Sequence, residues 1–244
     1  MFAAHNGEAF LVAAQDAGGN YLDVSLVSHT NDGPTVQSWP WPCSFLPDGV
    51  DPYPAGAVPF GDGFLVAAMN LFSADPDCSA DTLTVIHRVR AGESPVLVGG
   101  FDGYAVVAPH PEGLWAAWPK HVDDAPPQLE LRRIDGATGE VVVSTTLADV
   151  DPGSFAIASM GRSLALAWTP IGVSLDTAPP EVHVRVLTES GAKLGEAVLP
   201  NLDAPGRISV AASPDARSIV VAWGQWWSNA SRISMARADC IGGS

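Results

Sequence analysis

Two adjacent tryptophans, Trp226 and Trp227, stand beside Asn229 in a stretch that reads as a connecting loop. Paired indoles in such a place can stack on a sugar ring or anchor a partner protein; they can equally fold back over the scaffold. Carboxylates gather in other stretches of the same kind: Asp75 with Asp77, Asp123 with Asp124, and Asp176. His121, beside the second pair, is the histidine of these loops with carboxylates next to it. Two carboxylates about 5–10 Å apart can act as acid and base on a glycoside, and oxygen-rich loops can hold Ca²⁺. Neither chemistry has a formal signature here. No DxDxDG, HExxH or CxxC pattern occurs, and no serine sits in a Gly-x-Ser-x-Gly elbow. Solvated loop carboxylates are the default reading, so no catalytic set, metal site or cofactor is expected; Ca²⁺ remains an open alternative that no motif supports. The ligand-binding candidates are Trp226, Trp227, Asn229, His121, Asp123, Asp124 and Asp176.

The elements that must carry these residues are legible as a repeat. Five apolar runs begin at Phe10, Phe64, Leu114, Leu164 and Ile219, spaced 54, 50, 50 and 55 residues apart, and each ends in Ala or Ala-Trp. A period near fifty is that of a four-stranded propeller blade. In each period a short strand A precedes the apolar strand B, whose unbroken hydrophobicity suits a strand covered on both faces. Strand C alternates, as in Leu129-Glu130-Leu131-Arg132 and Val182-His183-Val184-Arg185-Val186, and His87 and His183 read as strand-face residues. Strand D is the least regular. The expected fold class is therefore all-β, a five-bladed β-propeller of four-stranded antiparallel blades whose last blade has three strands. It forms a single domain over 1–244, with blade units of approximately 1–54, 55–103, 104–153, 154–205 and 206–244. Trp118, Trp168 and Trp223 share one repeat position and are expected to fill the wedge between blades. Ala14 and Ala68 hold that position in the first two units, where Trp39, Trp41 or Phe72 would substitute.

The A–B and C–D connections are short and rich in Gly, Asn and Asp, as at Asn6-Gly7 and Asp135-Gly136. The B–C stretches 71–81, 119–127, 169–180 and 224–231, and the D–A stretch 40–55, read as long loops. In an up-and-down blade both long classes leave from one side, so one face is trimmed and the other decorated. Cys43 and Cys78 fall in neighbouring loops of the decorated face, and a disulfide between them is expected, with Cys240 unpaired. Such a bond favours an extracytoplasmic, periplasmic or secreted, location.

Twelve basic against twenty-seven acidic residues give a formal charge of −15. With Lys120 and Lys193 the only lysines, nucleic-acid binding is not expected, nor is adhesion to an anionic membrane. No apolar run reaches the roughly 18 residues of a membrane span, and Met1–Gly7 lacks the basic and apolar regions of a signal peptide.

The segment Ser213-Pro214-Asp215-Ala216-Arg217-Ser218-Ile219-Val220-Val221-Ala222-Trp223 resembles the SPDG turn of TolB-like propeller repeats, with Ala216 where that family has glycine. Gly136 and Gly191 echo the repeat's later glycine. The resemblance implies a propeller and carries no catalytic residue across. Two functional readings follow. The favoured one is a non-catalytic binding module engaging a protein or carbohydrate through the long loops of one face, as a monomer or part of a longer chain. The other is a glycoside hydrolase-like enzyme using loop carboxylates at the channel mouth.

Overall fold

The computed structural model describes residues 2–15, 22–30, 33–40, 54–69, 84–101, 103, 105–122, 125–150, 152–170, 181–200, 208–213, 215–227 and 230–239. Their regular elements are all strands. β1 (Phe2–His5), β2 (Ala9–Gln15), β3 (Leu22–Thr30) and β4 (Gly33–Pro40) make sheet 1. β5 (Pro54–Phe60), β6 (Gly63–Met69), β7 (Thr84–Val89) and β8 (Val96–Phe101) make sheet 2. Sheet 3 holds β9 (Val106–His110), β10 (Gly113–Val122), β11 (Ala125–Asp135) and β12 (Val141–Leu147). Sheet 4 holds β13 (Pro152–Met160), β14 (Ser163–Pro170), β15 (Glu181–Leu187) and β16 (Lys193–Pro200). Among the described residues sheet 5 has three strands, β17 (Ile208–Ala212), β18 (Ser218–Trp227) and β19 (Ala230–Asp239). Within each sheet the strands pair in chain order. The chain is all-β, a five-bladed β-propeller with a three-stranded last blade.

The chain divides into two compact units, Met1–Ala116 with Arg133–Val142, and Ala117–Arg132 with Val143–Ser244. In the first, β1 lies beside β5 and β5 beside β9, so the A strands are neighbours. Leu11, Val24 and Leu26 of sheet 1 meet Phe64, Val66 and Val89 of sheet 2 in one buried core. Each fully buried side chain of this size contributes about 2 kcal/mol. Ala68 takes the place of the later tryptophans, and Trp39 packs against this core, as expected from the sequence. Trp41 and Phe72 lie outside the described residues. In the second unit β13 lies beside β17. Ala165, Ala167, Val182 and Val184 of sheet 4 meet Ile208, Ile219, Val221 and Trp223 of sheet 5.

The turns follow their side-chain chemistry. Asn6 Oδ1 accepts the backbone N–H groups of Glu8 and Ala9 at 3.0 and 2.9 Å, closing the β1–β2 turn. Asp135 Oδ1 does the same for Ala137 and Thr138 at 2.9 and 2.8 Å. Those donors, Thr138 N–H first, hold the Asp135 carboxyl below the usual carboxylate range.

In the β17–β18 turn, Ser213 Oγ donates to Asp215 Oδ1 at 2.6 Å and accepts from the Arg217 and Ser218 N–H groups at 3.1 and 2.9 Å. Ala216 closes this turn at φ 55°, the left-handed conformation in which a Cβ crowds the backbone. Ala216→Gly is therefore expected to stabilise the chain by about 0.5–1 kcal/mol, the relieved strain outweighing the extra freedom of an unfolded glycine. A urea midpoint unchanged or lowered by the substitution would contradict this.

Two B–C connections expected to be long loops are strand instead. β10 runs to Val122 and β11 starts at Ala125, so most of 119–127 is hairpin. β18 runs to Trp227 and β19 starts at Ala230, which does the same to 224–231. The physical reason is local: Val122 in one stretch and Trp226 with Trp227 in the other favour the pleated ladder.

Candidate functional site

Of the sequence candidates, His121, Trp226 and Trp227 lie on described strands, at the B–C ends of two hairpins that outrun their A strands among the described residues. In sheet 5, β17 pairs with β18 from Ile208↔Trp223 to Ala212↔Ile219. The β18–β19 ladder continues for four more pairs, Gly224↔Ile233, Gln225↔Arg232, Trp226↔Ser231 and Trp227↔Ala230. Trp226 and Trp227 thus occupy the last positions of β18, paired there among the described residues with β19 alone, a correction to their expected loop placement. In sheet 3, β9 has 5 residues against 10 and 11 in β10 and β11, so the distal half of that hairpin also passes its A strand. His121 is the second-last residue of β10, again on strand where a loop was expected. Asn229, Asp123, Asp124 and Asp176 lie outside the described residues, as do Asp75, Asp77, Cys43, Cys78 and Cys240. What the sequence reading missed was the continuing ladder, for which the signal was the β-propensity of Trp-Trp just before Ser-Asn.

The polar groups that the structure does gather are ion pairs built into blade faces. Trp168 and Arg185 are buried, and the guanidinium carbon lies 5.1 Å from the centre of the indole. Arg185 NH1 and NH2 donate to Asp149 Oδ1 and Oδ2 at 2.9 and 2.7 Å, a fork-to-fork pair. Its Nε and NH2 also donate to Glu196 Oε2 at 3.0 and 2.8 Å, across a directly paired position of β15 and β16. His183 stacks on the same indole, with the ring centres 4.9 Å apart. The Arg185 guanidinium holds the Asp149 carboxyl below the usual range; Lys193, then Arg185, does so for Glu196.

Sheet 3 repeats the device with other residues. Arg132 lies over Trp118 at 5.0 Å, and the buried Glu130 carboxylate accepts from Thr146 Oγ1 at 2.8 Å and Ser144 Oγ at 3.3 Å. Arg132 and Lys120 approach the same carboxylate at 3.6 and 3.8 Å. Trp118 and Trp168 are 4% and 3% exposed, each with a guanidinium over its ring. His87 is a buried strand-face residue of β7, as read from the sequence. Among the described residues no three His, Cys, Asp or Glu side chains converge as a metal site. Among the same residues, no helix is long and apolar enough to cross a membrane.

No protein-family model matches this sequence, and no curated protein matches it either. Solved structures do match in fold. The chain is similar to hydrazine synthase of Kuenenia stuttgartiensis, with TM-score 0.55 and 16% identity over 91% of this chain and 63% of that one. It is similar to a neuraminidase-like protein from A/bat/Guatemala/164/2009, with TM-score 0.52 and 9% identity over 91% and 66%. The WD40 domain of Toxoplasma gondii coronin matches at TM-score 0.44 and 10% identity over 98% and 70%. The chain therefore spans less than two thirds of the first two chains' lengths. At these identities the first two likenesses establish the fold alone, and a propeller by itself specifies no function.

Proposed function

We propose that this propeller is a non-catalytic binding module that takes a protein or glycan ligand at the B–C end of its sheets. The observation that carries the reading is the β18–β19 ladder, which continues four residue pairs past β17 and ends on Trp226 and Trp227. A two-stranded ribbon is marginal by itself, and aromatic residues are the commonest anchors of sugar rings and protein partners. Trp226, Trp227 and Asn229 form the proposed centre of the site, and His121, Asp123, Asp124 and Asp176 its polar flank. An extracytoplasmic location, with Cys43 joined to Cys78, belongs to the same proposal, and the SPDG-like turn at Ser213–Ala216 supports kinship with TolB-like repeats.

The test is a glycan array read with the wild-type chain and with Trp226→Ala/Trp227→Ala, whose fold is checked by circular dichroism. Loss of two aromatic anchors is expected to weaken binding about thirtyfold or more. Binding that survives the double substitution would move the site elsewhere, and turnover of a glycoside by the purified chain would overturn the non-catalytic reading.

A further inference from the structure

A backbone nitrogen can attack the side-chain amide of the asparagine before it, and glycine allows the closest approach because it carries no Cβ. The sequence holds one Asn-Gly pair, Asn6-Gly7, and it forms the β1–β2 turn. Asn6 N–H donates to Ala9 O at 3.2 Å, and the Glu8 and Ala9 N–H groups donate to Asn6 Oδ1 at 3.0 and 2.9 Å. None of these bonds uses the Gly7 N–H. Gly7 is exposed at φ 102°, and nothing lies within 4 Å of the place a Cβ would take. Solvent thus reaches the nucleophile while the turn holds the electrophile.

The two N–H groups on Oδ1 do more than close the turn. Attack at Asn6 Cγ turns Oδ1 into an oxyanion, and backbone donors at about 2.7–3.1 Å are what stabilise such a charge. Here they are in place before the reaction starts, so no reorganisation is needed when the charge develops.

We propose that Asn6 is a self-modification site, at which the folded chain converts its own amide to a succinimide and then to an aspartyl or isoaspartyl linkage. Hydroxide takes the Gly7 N–H proton, and the nitrogen forms its bond to Asn6 Cγ while charge gathers on Oδ1. The Cγ–Nδ2 bond then breaks. Nδ2 leaves as ammonia, taking its third proton from water and so returning the hydroxide. Water opens the ring at either carbonyl. Opening at Cγ gives an ordinary aspartate, which keeps an oxygen for the same two N–H groups. Opening at the main-chain carbonyl gives isoaspartate, whose backbone runs through Cβ and Cγ and lengthens the turn by one atom.

A second turn of this chain provides the comparison. Asp135 Oδ1 accepts the Ala137 and Thr138 N–H groups at 2.9 and 2.8 Å, the same cradle, and Gly136 follows it. There the Gly136 N–H already donates to Glu112 O at 2.9 Å, and carbons of the Phe60 ring lie 2.6 Å from where a Cβ would sit. Asp135→Asn therefore combines the right donors with a nucleophile that is tied down and covered.

The test ages the folded wild-type chain and Asp135→Asn together in mildly alkaline buffer, with ammonia release and peptide mass mapping as readouts. The peptide holding Asn6 is expected to accumulate both acid forms, and Asn6→Asp should abolish that ammonia. The amide introduced by Asp135→Asn should convert about tenfold more slowly than Asn6, since the Gly136 hydrogen bond has to break first. Equal rates at the two turns would overturn the proposal. So would an Asn6 amide that persists in the folded chain while the free peptide of residues 2–15 converts, because the turn would then protect what it is proposed to activate. Should Asp135→Asn lose the wild-type circular dichroism, the comparison with the free peptide decides alone.

Discussion

Arg185→Ala is expected to lower the stability to urea by about 3 kcal/mol, at the low end of what removing one partner of a buried ion pair costs. The Arg185 side chain is 4% exposed and answers two carboxylates while its guanidinium lies over Trp168. Alanine removes four charge-assisted hydrogen bonds and leaves a void against the indole. Two features keep the loss from being larger. Asp149 is 65% exposed, so water takes over its solvation, and Lys193 Nζ stays 2.7 Å from Glu196. Arg185→Met, which restores the stem and a polarisable contact with the ring, should recover roughly half of the loss. The acid limb gives an independent reading. The Asp149 and Glu196 carboxyls are held down by their cations, so the stability they confer is present above the unfolded carboxylate pKa and is lost as pH falls through the folded values. In Arg185→Ala that loss below about pH 4 should shrink. A change under 1 kcal/mol at neutral pH, with Met no better than Ala, would show that the network is not what holds this face.

The same network shows where sequence reading stops. Strand B of each repeat is legible because its signal is local: an unbroken apolar run after a Gly- or Asn-containing turn. Strand C is legible because alternation over four or five residues already fixes which side chains share a face. The pairing of Arg185 with Glu196 follows once a C–D hairpin with a register is granted, since opposite charges directly across a ladder attract. Asp149 is 36 residues from Arg185 in the chain, on the connection that enters sheet 4, and no local pattern brings it there. The ribbons of sheets 3 and 5 were misread for the opposite reason. Polar residues and tryptophans break the apolar run of strand B, and backbone pairing continues regardless, because the ladder needs only extended residues with free N–H and C=O groups on both sides.

Acid should destabilise the first unit through a single histidine. His87 lies on β7 opposite Val66 and Leu97, and Val89, two residues on, belongs to the core between sheets 1 and 2. Burial pushes its imidazole from 6.5 down to about 4. Above pH 6.5 the ring is neutral in both folded and unfolded chains and contributes no pH dependence. Between pH 6.5 and 4 the unfolded chain binds a proton that the folded chain refuses, so stability falls as pH falls. Over the whole window the loss is about 3 kcal/mol, and it is complete near pH 4, where the folded ring begins to protonate as well. Chemical denaturation at pH 7, 5.5 and 4 should show this slope in the wild-type chain and its absence in His87→Leu, which keeps the apolar packing and cannot titrate. The Asp149 and Glu196 carboxyls act at lower pH and are common to both proteins, so the difference between the two curves isolates the histidine. Parallel curves across pH 7 to 4 would mean that the site admits the imidazolium, and that β7 is not sealed against sheet 1 in the way its burial indicates.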